Sequence, residues 1–404
     1  MEPELQRAQE EPAAAAANHA ATGHAAIGRS LPAQQAQGFD WIFIGPQGLR
    51  AGWALAFFYA LYWVFRMVVG TIFYSAGLVG ETMDDTAPSV LLVELIPFVS
   101  LIAAAWIVAL LERRNLLSYN LAGPRRPVGP DRLGGRPAGP GRAMHFAIGG
   151  AAGFAALSVL VAILTLGGWL HIEPATSDAS QALSQAAWWG AAFLIVACVE
   201  EGLFRCVGLS ILTRGINFWW ALAAQIAVCA DEAFRTHGNG ARGVYLAALV
   251  GLFPCFALHQ KAGLRQGATP GSAFWQATWV TSTFFGFYHT LNNGENWIGV
   301  FAAALVGFVL CVTVRLTGSA WWALGFHAAW DWAETYFYGA ADSGLDSQGH
   351  LLSASPAGNP LWSGGTDGPE GSVLALAVIL VLLAFVVAVY CRRPRNAAAI
   401  AGES

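Results

Sequence analysis

Eight long apolar runs leave this chain one environment in which to fold. They cover Ala51–Gly77, Val90–Leu111, Met144–Leu170, Trp188–Thr213, Gly271–His289, Trp297–Val314, Ser319–Tyr338 and Val373–Cys391. Each is near the about 20 residues that a helix needs to cross about 30 Å of hydrocarbon. In lipid the backbone must satisfy its own hydrogen bonds, so runs of this length become helices rather than open sheet. Only 11% of the 404 residues are charged, less than half the share of about 25% in a soluble domain. The expectation is an all-α, polytopic transmembrane helix bundle with eight firm spans. Two shorter stretches, Phe218–Ala230 and Val244–His259, make ten if both cross, although the second is also short enough for a buried or re-entrant helix.

Charge is sorted between the connecting segments, and Lys and Arg near the spans set orientation. The segment between the second and third runs holds Arg113, Arg114, Arg125, Arg126, Arg132, Arg136 and Arg142 against Glu112 and Asp131, which marks it as cytoplasmic. Both termini then fall in the cytoplasm, and Asp342, Asp346, Asp367 and Glu370 fall outside. Arg235 and Arg242 break the alternation. The expected organisation has five parts. Residues 1–48 form a disordered cytoplasmic tail without a cleaved signal, and 49–143 form a two-span region ending in the basic loop. A core follows at 144–338 with an insertion at 216–271, then an outer Gly/Pro/Ser-rich loop at 339–371, and a last span with a short basic tail at 372–404. Gly123–Gly141 and Ser353–Gly371 have the composition of surface linkers. The six cysteines sit in or beside apolar runs with no zinc-ribbon or disulfide spacing, and no basic patch is laid out for nucleic acid.

Within this apolar text a few ionisable groups stand out, and such residues are functional candidates by default. Glu200, Glu201 and Arg205 lie on one run, His289 on another, and His327, Asp331 and Glu334 on a third, with Arg66, Glu94 and His145 nearer the N-terminus. Glu201 and Arg205 are one helical turn apart and can pair, while Glu200 points about 100° away and is free to face a cavity. Phe285 and His289 share a face in the same way, as do His327 and Asp331. Glu334 continues that last stripe near its outer end. Arg66, Glu94 and His145 read as structural or interfacial, and the many tryptophans as interfacial belts and packing.

The order Glu200-Glu201-x-x-x-Arg205, Phe285-x-x-x-His289, His327-x-x-x-Asp331 resembles the CPBP family of intramembrane proteases. That family includes the type II CAAX prenyl endopeptidases and bacterial self-immunity proteins. The turn Arg315-Leu316-Thr317-Gly318-Ser319-Ala320 before His327 is also similar, and the likeness covers about Met144 to Tyr338. The resemblance implies that Glu200 is the general base on water, that Glu201 and Arg205 form a supporting pair, and that His289, His327 and Asp331 complete the site beside Phe285. His327 is the expected oxyanion donor, oriented by Asp331. No cofactor is required on this reading; a three-ligand zinc site of Glu200, His289 and His327 is the alternative.

Three residues depart from the family pattern. Asp331 stands where many members carry Asn, and an ionised Asp can only accept hydrogen bonds. His289 lies unusually far after Glu200, and Cys206 follows Arg205 where glycine is common. The implied activity is hydrolysis of a peptide bond in a membrane-associated or lipidated protein, in the bacterial inner membrane given the Ala, Gly and Arg bias. A proton-coupled transporter and a non-catalytic immunity or scaffold protein are the rival expectations.

Overall fold

The computed structural model describes residues 40–45, 48–80, 85–122, 141–175, 178–235, 270–292 and 294–391. It divides into a unit ending at Arg50 and a second running from Ala51 to the end of the chain. In the first, the helical turn Asp40–Phe43 leads into Ile44–Gly45, which pairs antiparallel with Gly48–Leu49.

The second unit is helical. Its main elements are α1 (Ala51–Ser75), α2 (Ala87–Leu111), α3 (Arg142–Leu166), β1 (Leu170–Pro174), α4 (Ala179–Glu201), α5 (Phe218–Arg235), α6 (Pro270–His289), α7 (Trp297–Thr317), α8 (Trp321–Asp331), β2 (Leu352–Pro356) and α9 (Val373–Cys391). Five of them, α1, α2, α3, α7 and α9, are long and apolar enough to cross a membrane. The expected count of eight spans therefore has five clear counterparts among the described residues. Of the other three runs, two become composite helices, because α4 and α8 each continue as a π-helical segment, Gly202–Gly208 and Trp332–Tyr338. The third is α6, whose buried Ser272, Gln276, Thr278, Thr281 and Ser282 make it polar for a span. α5 holds only a short apolar stretch, Phe218–Ala227. Val244–His259, the arginines from Arg125 to Arg136, and the C-terminal basic tail lie outside the described residues.

Local signals set the helix ends. Asp178 caps α4 by accepting from the Ser180 amide at 2.9 Å, and Asn296 caps α7 by accepting from Ile298 at 2.7 Å and Gly299 at 3.2 Å. Gly318 closes α7 in the left-handed region, φ +75°, which glycine enters without a Cβ clash. The turn between α7 and α8 is short for that reason.

The all-α expectation is incomplete by one small sheet in this unit, β1 against β2, with Leu170 opposite Pro356 and Pro174 opposite Leu352. Five-residue strands ending in proline carry too little period-two pattern to announce themselves. The pairing draws the second half of Ser353–Gly371 into the body of the protein, while residues 358–362 stay exposed. What reads as a surface linker is a strand, a helical turn at Pro360–Ser363 and a 3₁₀ turn at Pro369–Gly371, with Ser363, Asp367 and Ser372 buried. In that region burial, followed by the charge of Glu370, pushes the Asp367 carboxyl up to about 8 and that of Glu295 up to about 10.

α8 is held against α3 at backbone contact. A Cβ built on Gly149 would lie 2.0 Å from the Trp322 carbonyl oxygen, one on Gly153 would lie 2.3 Å from that of Phe326, and one on Gly325 would lie 2.0 Å from that of Phe146. In lipid, helices associate largely through such close packing of small residues, since burial of apolar surface between helices gains little. Leu157, Leu160, Trp322, Phe326 and Ile379 extend this contact into the core of α3, α8 and α9. Gly153→Val, one residue's reach from His327, is expected to lower stability by about 1–3 kcal/mol through overpacking. Thermal unfolding in detergent checks it, with the exposed Gly52→Val change, which meets nothing within 4 Å, as the neutral comparison.

Candidate active site

The polar residues of α4 and α8 converge on one imidazole. His327 Nδ1 lies 2.8 Å from Glu201 Oε1, and its Nε2 lies 3.3 Å from Asp331 Oδ2 and 3.6 Å from Glu200 Oε2. Donation from Nδ1–H to the Glu201 carboxylate is the arrangement that geometry favours, and it leaves Nε2 facing the other two acids. Glu201 is fully buried and also lies 3.1 Å from Arg205 Nη1, the two side chains being completely shielded from solvent. The Glu200 side chain is more accessible, 16% exposed against 0% for Glu201, although the Oε2 of each is shielded and has no hydrogen-bond partner. The two neighbouring glutamates are thus unlike, as the helical offset predicts: one neutralised and locked, the other open.

Arg205 is seated by aromatic and small residues. Its guanidinium carbon lies 4.0 Å from the centre of the Phe285 ring and 5.8 Å from that of Phe204, within the range of cation–π attraction. Gly307 makes the room: a Cβ there would come within 2.8 Å of Arg205 Nη2 and 3.2 Å of Phe285 Cδ1. The π-helical segments begin directly after Glu201 and Asp331. Extra residues of this kind in a helical turn occur mostly at functional sites, where they re-aim side chains.

His289 joins the group indirectly. Its Nδ1 is 2.8 Å from the Phe285 carbonyl oxygen, and the Phe285 ring packs 4.8 Å from the His289 ring and 5.9 Å from that of His327. Among the described residues, the sets of three carboxylate, imidazole or thiol groups with ligand atoms converging for a metal are acidic and lie elsewhere; Glu200, His289 and His327 do not form such a set. The expected orienter of His327 also changes. Glu201 holds Nδ1, while Asp331 sits at Nε2, because the imidazole is turned with its Nδ1 edge toward α4. Glu334 leaves the stripe: fully buried, it accepts from Trp330 Nε1 at 2.9 Å and lies with Asp342 and Glu370. The π-helical register starting at Trp332 carries it away from the His327 face.

Two features escape a reading of the sequence. Asn120, at φ +57°, bridges both halves of the site: its Nδ2 donates to the Arg205 carbonyl at 2.7 Å, and its own carbonyl accepts from the Ala320 amide, at the start of α8, at 2.8 Å. Nothing in the local text of a connecting loop signals this. Asn120→Gly keeps the left-handed backbone and deletes the side-chain bond, so a loss of about 0.5–1.5 kcal/mol is expected, read as a lower unfolding temperature and a reduced turnover. The second feature is a polar group from α1, α2 and α6. Arg66 and Tyr62 on α1, Glu94 on α2 and Tyr288 on α6 interact electrostatically, and Glu94 and Tyr288 also feel the charge of Glu200. Arg66 and Glu94 are legible as ionisable residues inside spans; that Glu94 feels the charge of Glu200 is not.

The family described as type II CAAX prenyl endopeptidase, Rce1-like, matches residues 252–333. That segment contains His289, His327 and Asp331, while Glu200 and Glu201 reach it from outside by the contacts above. No curated protein and no solved structure matches the chain. The match agrees with the resemblance read from the motifs, and the five apolar helices agree with a membrane location. The chain is an integral membrane protein whose residues 252–333 match the family of Rce1-like, type II CAAX prenyl endopeptidases.

Proposed function

We propose that this protein is an intramembrane endopeptidase that hydrolyses a peptide bond of a membrane-associated or lipidated protein, using water activated by Glu200. The observation that carries the reading is the single imidazole of His327 set between a locked carboxylate at Nδ1 and two carboxylates at Nε2. Glu200 Oε2, without a hydrogen-bond partner, takes the proton of an attacking water. Glu201, neutralised by Arg205, fixes the His327 ring, which acts as an imidazolium with a proton on each nitrogen and donates from Nε2–H to the oxyanion that develops on the scissile carbonyl. Asp331 holds that proton in the ground state and yields it when substrate arrives. Glu200 then returns its proton to the leaving amine.

His289 and Phe285 wall the site. The motif-based resemblance and the family match over residues 252–333 support the CAAX-type substrate class. The test uses the full chain in lipid nanodiscs with a peptide ending in a prenylated cysteine followed by three residues. Release of the C-terminal tripeptide is expected, and it is expected to persist in 1,10-phenanthroline. Cleavage abolished by that chelator and restored by zinc would move the chemistry to a metal. No cleavage of prenylated or unprenylated peptide, together with proton flux in liposomes, would favour a transporter.

A further inference from the structure

At the end of the bundle formed by the α6–α7 connection, the end of α8 and the loop before α9, five carboxylates gather. They form two sets, Glu295 with Asp367 and Glu370, and Glu334 with Asp342 and Glu370; within each set one oxygen per residue lies within 4.8 Å of the others. Glu370 is common to both. Glu334 and Asp367 are completely buried, and Glu334 Oε1 and Asp367 Oδ1 have no hydrogen-bond partner. Among the described residues no Lys or Arg pairs with any of the five. Buried carboxylates without cations are costly unless they are paired or coordinate a metal.

The surroundings hold four of these groups by one oxygen, while neither oxygen of Glu295 has a hydrogen-bond partner. Trp330 Nε1 donates to Glu334 Oε2 at 2.9 Å, Thr335 Oγ1 to Asp342 Oδ2 at 3.0 Å, the Asn296 amide to Asp367 Oδ2 at 3.3 Å, and the Ser343 amide to Glu370 Oε1 at 2.7 Å. Such outer bonds are the usual support of metal-ligating carboxylates. Glycines permit the crowding. A Cβ on Gly299 would lie 2.2 Å from Asp367 Oδ2 and 2.3 Å from Glu295 Oε1, and one on Gly371 would lie 2.4 Å from Asp367 Oδ2. Gly294 and Gly344 bring two of the loops together at a distance that would put a Gly294 Cβ 2.4 Å from the Gly344 carbonyl oxygen.

We propose that Glu295, Glu334, Asp342, Asp367 and Glu370 form a calcium site, with Glu370 bridging its two halves. The donors are all oxygen, which selects a hard cation, and Ca²⁺ accepts 6–8 such ligands in irregular geometry, whereas Mg²⁺ demands a near-ideal octahedron and keeps several waters. A dedicated cage of protein carboxylates from four separate chain segments suits Ca²⁺. The site shares no residue with the Glu200 and His327 group, so it stands whether or not the protein cleaves peptides. Bound calcium ties the β2 loop and the α6–α7 connection to the end of α8, one turn from Asp331.

Full-length protein in detergent, stripped with EGTA, is titrated with CaCl₂ and separately with MgCl₂ by calorimetry and thermal unfolding. Saturable Ca²⁺ binding at millimolar concentration or below and a raised unfolding temperature are expected, with a weaker Mg²⁺ response. Glu370→Gln is expected to weaken Ca²⁺ binding at least tenfold while leaving the stripped protein no less stable than the wild type, because one like charge is gone. Asp346→Asn, an exposed acid outside both sets, is expected to bind Ca²⁺ as the wild type does. Absence of Ca²⁺ binding in the wild type, an unchanged Ca²⁺ affinity in Glu370→Gln, or a response to Mg²⁺ alone would each overturn the assignment.

Discussion

Arg205→Ala is expected to destabilise the protein by about 3–5 kcal/mol, the cost of breaking a buried ion pair by removing one partner. The chemistry around Glu201 explains why the effect is large. Glu201 is completely shielded, and its charge is shared between Arg205 at 3.1 Å and His327 at 2.8 Å. Without the guanidinium the carboxylate must take up a proton or leave its place, and in either case His327 loses its orienter. The alanine also empties the space beside Phe285 that the guanidinium fills at 4.0 Å. Arg205→Lys keeps the charge and gives up the planar stacking, so it is expected to fall between the two. Unfolding temperature in detergent orders the three proteins as wild type, lysine, alanine. An alanine variant as stable as the wild type would show that the pair contributes nothing.

Much of the site was legible because one helical turn is a rigid ruler. Glu201 with Arg205 and His327 with Asp331 pair as their four-residue spacing requires, and the same offset leaves Glu200 free. The separation of roles between the adjacent glutamates follows from that geometry alone. What spacing could not give is contact between helices. That His327 turns its Nδ1 to Glu201 depends on how closely α8 lies on α3, which Gly149, Gly153 and Gly325 set by having no side chain. Asn120 was invisible for a similar reason, since its bonds join two helices far from it in sequence.

The ruler holds over the single turn from Glu201 to Arg205 even as the helix changes pitch, but not over the longer reach from His327 to Glu334. Glu334 is seven residues after His327, on the same stripe of an ideal α-helix, yet the π-helical segment from Trp332 rotates it into the acidic loops. The span count is affected in the same way by composition. α6, lined with buried hydroxyls and amides, and the composite α4 and α8 are helices, but their polar faces serve the interior of the protein. The loop after α8 is partly buried although its Gly, Pro and Ser composition signals turns, because turns can be buried when a strand pair such as β1 and β2 fastens them down.

The second large effect concerns chemistry with the fold left intact. Glu200→Gln conserves shape and removes the group that accepts the proton of water, so turnover is expected to drop by about 10²–10⁴-fold, the usual contribution of a general base. Glu200 makes no ion pair with Arg205 and its side chain is partly open to solvent, so the unfolding temperature is expected to stay near that of the wild type. This is the opposite pattern to Arg205→Ala, where stability moves first. The most direct measurement is therefore cleavage of the prenylated peptide by purified wild type and Glu200→Gln at matched concentration and verified folding. Tripeptide release by the wild type with at least a hundredfold slower release by Glu200→Gln is the predicted result; equal release by the two proteins would contradict the assignment of Glu200 as the base.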